Sequence, residues 1–379
     1  MKVFMISRGY PTPDYKIYGI FEMDQARALA KAGIEVIYLS IDLRSIRRKR
    51  KLGYEYFEKD GVKVYSLAWP IGNIPKKIFY KIGEIALNKL YKKAVAKEGR
   101  PDIMHAYFTD YGYLCAKIAK KEDIPFVITE PNSHINVKNI EPNLKAAAEF
   151  AYNNADRLIT VSPDFQRKVL EKFGVESSVI TILPDLDIFD YRYKEKDDAE
   201  FKIVSTGRLS KLKGMAELIE AFNEAFSNQN EVKLKIFGGG PEEENLRNLI
   251  KNLGLEDRIE LMGMVERDLI AAEYSDADLF CLYSHMETFG LAYLEALASG
   301  LPVISSRCGG PEHLINEENG ILINLFDKEE FVSALKYMKN NIKRYDKKKI
   351  SQDTKRDFSV ENITNGLINI YERVINDEF

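Results

Sequence analysis

The stretch SHMETFGLAYLEALASG, residues 284–300, sets Glu287 and Glu295 eight positions apart around a Phe-Gly pair. An acid inside an apolar run costs stability unless a polar partner meets it. The preceding DLFCLYS (278–284) reads as a buried strand, and LAYLEALASG (291–300) as a helix closed by Gly300. Glu287 then falls in a strand–helix loop, Gly290 at the helix start and Glu295 about one turn inside it. Amides at such a start, with the helix dipole behind them, attract anions, phosphate above all. Gly290 lets the guest approach the main chain closely. Two carboxylates flanking an anion site suit a ligand with hydroxyls on both sides of a diphosphate, which is the layout of a nucleotide sugar.

Other loops add to this set. STGRLSKLKG (205–214) places Arg208 and Lys213 after a strand, a forked guanidinium and an ammonium suited to clamping a diphosphate. FGGGPEEENL (237–246), containing Gly239, and CGGPEHL (308–314) are further glycine turns at strand ends. One glycine turn is ordinary punctuation in an alternating α/β chain. Four anion-friendly loops on one edge are much less so.

The elements that must carry these loops alternate in type. KVFMIS (2–7), IEVIYLS (34–40), DIMHAY (102–107), PFVITE (125–130), RLITVS (157–162) and VITILP (179–184) read as strands separated by helical patterns such as 21–33. The series restarts with KIVSTG (202–207), VKLKIFG (232–238), IELMG (259–263), DLFCLYS, PVISS (302–306) and GILI (320–323). Strand–helix repetition predicts parallel sheets with helices on both faces. At 379 residues two domains are expected. They are an N-terminal domain over 1–190, joined by the terminal helix 360–379, and a C-terminal one over 198–357, with the charged 194–201 as linker. Ligands of such sheets sit beyond the carboxyl ends of the strands, here in a cleft between facing domains.

The chain resembles the retaining glycosyltransferases of family four, whose GT-B fold pairs two facing Rossmann-like domains with a last helix crossing back. The likeness covers nearly the whole sequence, and its most specific part is the E-x7-E run from Glu287 to Glu295. It implies that Glu287 and the amides of Phe289, Gly290 and Leu291 meet the donor sugar, while Glu295 holds the ribose. It implies a diphosphate clamp in Gly207, Arg208 and Lys213, and base reading by the backbone of Gly263, Met264 and Val265. Gly19 stands for a usual Gly-Gly pair near the phosphates, with Tyr18 before it. Pro131 occupies the place of a usual histidine, leaving Glu130, Asn132, Ser133 and His134 as polar acceptor-side candidates. His105, at a strand end, is a further candidate facing the cleft.

The resemblance implies transfer of a hexose-type sugar from a nucleotide diphosphate, a UDP-sugar above GDP, to a hydroxyl in polysaccharide, glycolipid or other glycoconjugate synthesis. A relative that binds the nucleotide sugar with little or no turnover is the alternative. A sugar-phosphate-forming transferase would line the N-terminal domain with further basic residues. A nicotinamide dehydrogenase lacks support, since no G-x-G-x-x-G follows the first strand. No metal and no other cofactor is expected. The Asp-x-Asp pairs at 185–187 and 276–278 lie at the domain connection and before a buried strand, where aspartates serve as turn or cap residues.

Charge is divided unevenly. Residues 1–100 carry 21 Lys+Arg against 10 Asp+Glu, and the remainder 34 against 48, so the front of the chain faces something anionic. RSIRRKRK (44–51) and the helix-like 75–93 are either solvated faces or contacts to an anionic membrane bearing a lipid-linked acceptor. No aromatic or base-edge reader module accompanies them, so no nucleic-acid partner is expected. Scattered apolar contexts for Cys115, Cys281 and Cys308 and the strand-like MKVFMIS predict a cytoplasmic protein.

Overall fold

The computed structural model describes residues 1–15, 18–45, 47–72, 74–183, 186–192 and 200–378. Two compact units emerge, Met1–Leu183 with Val360–Phe379, and Pro184–Ser359. Most of the expected linker, 194–199, lies outside the described residues.

The first unit begins with β1 (Lys2–Ser7), α1 (Ile20–Lys31), β2 (Glu35–Asp42), β3 (Gly53–Lys59), β4 (Val62–Ala68) and α2 (Lys76–Glu98). It continues through β5 (Ile103–Tyr107), α3 (Phe108–Glu122), β6 (Phe126–Glu130), α4 (Ser133–Asn136) and α5 (Pro142–Tyr152). β7 (Arg157–Thr160), α6 (Pro163–Phe173) and β8 (Ser177–Val179) complete this stretch. The eight strands lie in the order β3-β4-β2-β1-β5-β6-β7-β8. Only β3 is antiparallel. Its hairpin turns on Asp60-Gly61, both at positive φ, the backbone that a two-residue hairpin turn requires. That hairpin is absent from the strands expected of the sequence, although an Asp-Gly between apolar runs is its ordinary signal. The expected strand at 179–184 is also shorter than read, ending at Val179.

Central strands buried on both faces read as continuous apolar runs. In β1, Val3 through Ile6 have no exposed surface, and β5 is buried throughout.

The second unit contains β9 (Phe201–Thr206), α7 (Met215–Ala225), β10 (Val232–Phe237), α8 (Glu243–Asn252), β11 (Ile259–Gly263) and α9 (Arg267–Asp276). β12 (Leu279–Leu282), α10 (Leu291–Ala298), β13 (Val303–Ser306), β14 (Gly320–Ile323), α11 (Lys328–Asn341) and α12 (Lys347–Asp357) follow. All six strands are parallel, in the order β11-β10-β9-β12-β13-β14. Reading outward from β9, the chain winds to one side and then, from β12, to the other. This doubly wound order creates a switch point between β9 and β12, where ligands of such sheets bind.

The terminal helix α13 (Val360–Ile375) belongs to the first unit. Its apolar stripe, Leu367, Ile370, Tyr371 and Val374, enters the core formed by β1, β2 and α1.

Candidate active site

The loops after β9 and β12 meet at the switch point of the second unit. Lys213 Nζ lies 2.5 Å from Glu287 Oε1, so one ion pair spans the two loops. Ser284 Oγ donates to the same oxygen at 2.7 Å. The backbone joins them too, with His285 N donating to Leu212 O at 2.9 Å. Gly214 is obligatory here. Its φ is 60°, and a Cβ would stand 1.9 Å from Tyr283 O.

Neighbouring loops are tied on in sequence. Gly238 N donates to Gly263 O, Leu209 N to Gly239 O, and Glu242 N to Leu209 O. On the other side, Glu287 N donates to Cys308 O and Gly310 N returns to Glu287 O. The four loops read from sequence therefore form one hydrogen-bonded rim, with the β11–α9 loop as a fifth member. Gly238, at φ 135°, would bring a Cβ within 1.9 Å of Gly207 O, so the rim tolerates no side chain there.

The helices leaving this rim share a second property. None of α7, α8, α9 and α10 has a side-chain cap at its start. In the same unit, Asp327 caps α11 and Asp346 caps α12. Uncapped starts present amide donors to whatever occupies the rim. Gly290 heads α10 in the left-handed conformation, φ 100°. Arg208 is exposed and, among the described residues, forms no salt bridge. A cation and several amides thus converge where an anion can be taken.

The two glutamates answer the question of what meets an acid in an apolar stretch. Glu287 has Lys213 and Ser284, while Glu295, 7% exposed, has Arg267 Nη2 at 2.7 Å from its Oε1. Arg267 is a residue that the sequence reading missed. It begins α9, four positions beyond Gly263, and its guanidinium also lies 5.3 Å from the Phe189 ring centroid. Its signal was weak, since one arginine in a charged VERD run looks like surface.

The remaining expected residues separate into those on the rim and those off it. Gly207, Gly239, Gly263, Met264, Val265, Phe289 and Leu291 all lie in or beside these loops. Met264 is 85% exposed, leaving its backbone at the outer end of the rim, and Phe289 is buried. Gly19 is in the other unit and is explained locally. It heads α1 at φ 72°, with Gly9 O only 2.4 Å from where a Cβ would be.

The acceptor-side expectations need correction at two positions. His105 does not face an open site. It is fully buried within β5, with Nδ1 2.6 Å from the Tyr371 hydroxyl and Nε2 2.8 Å from Thr129 Oγ1. Burial pushes its pKa down to about 3, so the ring is neutral. A strand in the middle of a doubly covered sheet turns side chains into packed layers, and His105 joins β5 to β6 and α13. Glu130 is likewise enclosed, accepting from Tyr152 at 2.7 Å, from Asn132 N at 2.9 Å, and from Thr109. Burial raises its pKa to about 7. Asn132 caps α4 by accepting from His134 N, while Ser133 and His134 are exposed.

Both aspartates of 276–278 are engaged in structure. Asp276 pairs with Lys202 at 2.8 Å and Asp278 accepts from Lys202 N at 2.9 Å. Asp185 of the other pair lies outside the described residues. No helix among the described residues is long and apolar enough to cross a membrane.

Comparison with known proteins gives a consistent picture. The family described as "Glycosyl transferases group 1" matches residues 189–355, and that described as "Glycosyltransferase Family 4" matches 23–185. N-acetyl-alpha-D-glucosaminyl L-malate synthase of Bacillus anthracis is 25% identical over 377 residues, covering 95% of this chain and 94% of that protein. The putative teichuronic acid biosynthesis glycosyltransferase TuaC of Bacillus subtilis is 26% identical over 355 residues, 88% of each. Among solved structures, sucrose-phosphate synthase from Thermosynechococcus elongatus superposes with a TM-score of 0.81 at 20% identity, covering 100% of both chains. Anabaena HepE in complex with UDP gives 0.72 at 18% identity, covering 98% of this chain and 99% of that one. The two Rossmann-like units with a returning terminal helix are thus the GT-B fold.

Proposed function

The chain belongs to the group 1, family four glycosyltransferases, and from that premise we propose that it moves a hexose-type sugar from a UDP-sugar to an acceptor hydroxyl with retention at the anomeric carbon. The observation that carries this reading is the Lys213–Glu287 pair across the β9/β12 switch point, set among uncapped helix starts and beside exposed Arg208.

In this reading Arg208, Lys213 and the first amides of α10 bind the diphosphate. Glu287, with Phe289, Gly290 and Leu291, meets the sugar, Glu295 holds the ribose, and the backbone of Gly263–Val265 meets the base. As the glycosidic bond breaks, negative charge grows on the leaving diphosphate. Fixed cations and dipoles stabilise that charge more in the transition state than in the ground state, which is what lowers a barrier. Glu287 and Glu295 are each held by a cation, so neither is placed as a free nucleophile. The leaving phosphate itself takes the acceptor proton on the same face, giving retention. No metal is assigned a role, and undiminished transfer in excess EDTA is the check.

UDP is favoured because a solved GT-B neighbour, HepE, holds it. The relatives' names point to acceptors as different as L-malate and teichuronic acid, so they do not carry an acceptor over. A lipid-linked acceptor is supported by α2, whose exposed side sets Lys77, Lys81, Lys89 and Lys92 around Ile78 and Ile85. That mixture suits a peripheral contact with anionic lipid. All three cysteines are free, buried thiols, in keeping with a cytoplasmic setting. A nucleotide-sugar-binding protein without turnover is the second reading, supported by Pro131 in place of a polar active-site residue. The test is a screen of nucleotide diphosphates for thermal stabilisation, then of their sugars for hydrolysis and transfer, with the product anomer read by NMR. Stabilisation by UDP with slow UDP-sugar hydrolysis is expected. Tight binding with no turnover selects the second reading, and no response to any nucleotide contradicts both.

A further inference from the structure

The second unit carries a recess of about 530 Å³ on the edge of its sheet opposite the rim. Asp278 and Leu301, which precede β12 and β13, place it beyond the amino ends of those strands. The rim lies beyond the carboxyl ends. The four residues of β12, about 13 Å of extended chain, separate the two.

Four cations line the recess, Arg192, Lys343, Lys347 and Lys348, against two acids, Asp278 and Asp346. Both acids are committed within the fold. Asp346 caps α12, accepting from Lys349 N at 3.0 Å. Asp278 accepts from Lys202 N at 2.9 Å and lies 3.7 Å from Lys347 Nζ, which also donates to Ala277 O at 3.0 Å. Arg192 and Lys348 differ from Lys347. Both are exposed, and neither has a hydrogen bond or ion pair among the described residues. Like charges gathered round one concavity repel, and a bound anion relieves that repulsion.

The walls are held closely. Tyr191 and the start of α12 both close on Gly300, where a Cβ would stand 3.0 Å from the Tyr191 ring and 2.4 Å from Lys347 O. Ser351 Oγ ties α12 to the end of α10 by donating to Ala298 O. Tyr191 and Ile342, both half-buried, add apolar surface beside the cations.

We infer that this recess binds a small phosphorylated metabolite, with Arg192 and Lys348 meeting the phosphate and Tyr191 and Ile342 covering the carbon skeleton. A guanidinium fork and an ammonium suit the three terminal oxygens of a phosphate ester. No rim residue lines the recess, so both places are filled together. The inference does not depend on the transferase reading.

Isothermal titration calorimetry of the full chain with inorganic phosphate, glycerol 3-phosphate and glucose 6-phosphate tests it, with saturating UDP present to fill the rim. At least one of the two esters is expected to bind more tightly than inorganic phosphate, and glucose not to bind. Arg192→Glu with Lys348→Glu is expected to weaken the ester at least about tenfold, the cost of losing a charge-assisted hydrogen bond. Its melting temperature should hold, since both side chains are exposed. Arg208→Ala, on the rim, is expected to leave ester binding unaltered, which keeps the two sites distinguishable even if UDP does not bind. Absence of ester binding, unchanged affinity in the double variant, or equal loss in Arg208→Ala would overturn the inference. Binding of a short-chain phosphatidic acid alone would assign a lipid headgroup instead and overturn it as well.

Discussion

The two units place opposite chemistry at equivalent points of their sheets. At the β9/β12 switch point the walls are glycine backbone, uncapped helix starts and two basic side chains, one exposed and one paired across the gap. At the β1/β5 switch point they are aromatic rings and a self-neutralised Arg8–Glu22 pair. One arrangement gathers donors for an anion, and the other pairs its charges with each other behind apolar walls. The same winding rule therefore fixes where ligands go, and side chains at the strand ends decide which. The contrast extends to buried polar groups, since the enclosed acids of the second unit's rim are paired with cations while Glu130 of the first is held by hydroxyls and an amide.

That contrast can be broken at graded cost. The largest expected effect is on the pH dependence of stability. Glu130 titrates near 7 in the fold against an ordinary 4.5, so the folded state binds the proton more tightly. Its contribution is then most favourable below the unfolded value and is lost as pH rises from about 4.5 to 7. His105 acts in the opposite sense, its contribution being lost as pH falls from about 6.5 toward 3. Relative to wild type, Glu130→Gln should gain about 3 kcal/mol between pH 4.5 and 7 in urea unfolding. UDP affinity should be unaltered. A parallel profile for both proteins would show that Glu130 is not a buried acid.

Next in size, Arg208→Ala should lower the transfer rate on the order of 100-fold with an unchanged melting temperature, because the side chain is exposed. Near-normal turnover would remove the diphosphate clamp from the mechanism. Gly238→Ala should cost about 2 kcal/mol in denaturant titration and abolish nucleotide binding, since its Cβ would collide with Gly207 O. Retained binding would mean that the rim is not a single hydrogen-bonded unit. Arg267→Ala should raise the donor KM about tenfold with little change in kcat, by freeing Glu295 from its partner. Smallest, Lys81→Glu with Lys89→Glu should reduce flotation with acidic vesicles several-fold and leave neutral vesicles unaffected.

Much of the second unit was legible in its residues. Glycine loops at strand ends are backbone requirements, and backbone requirements show in one sequence, as at Gly214 and Gly290. The first unit was less so. Glu130 ends its strand, as site residues do, and His105 stands at the middle of β5, yet both point into packed layers. Period-two alternation gives no sign of this when a strand is buried on both faces. Glu22 was hidden for another reason, as one acid in a helix reads as part of its polar side. Arg267 escaped because its partner, Glu295, lies 28 positions away.

A crystal structure of the chain with bound UDP tests the central claim most directly. The account predicts the diphosphate at the β9/β12 switch point, within hydrogen-bonding distance of Arg208, Lys213 and the first amides of α10, with the ribose at Glu295. UDP bound anywhere else, or no density on that rim at saturating ligand, would contradict it.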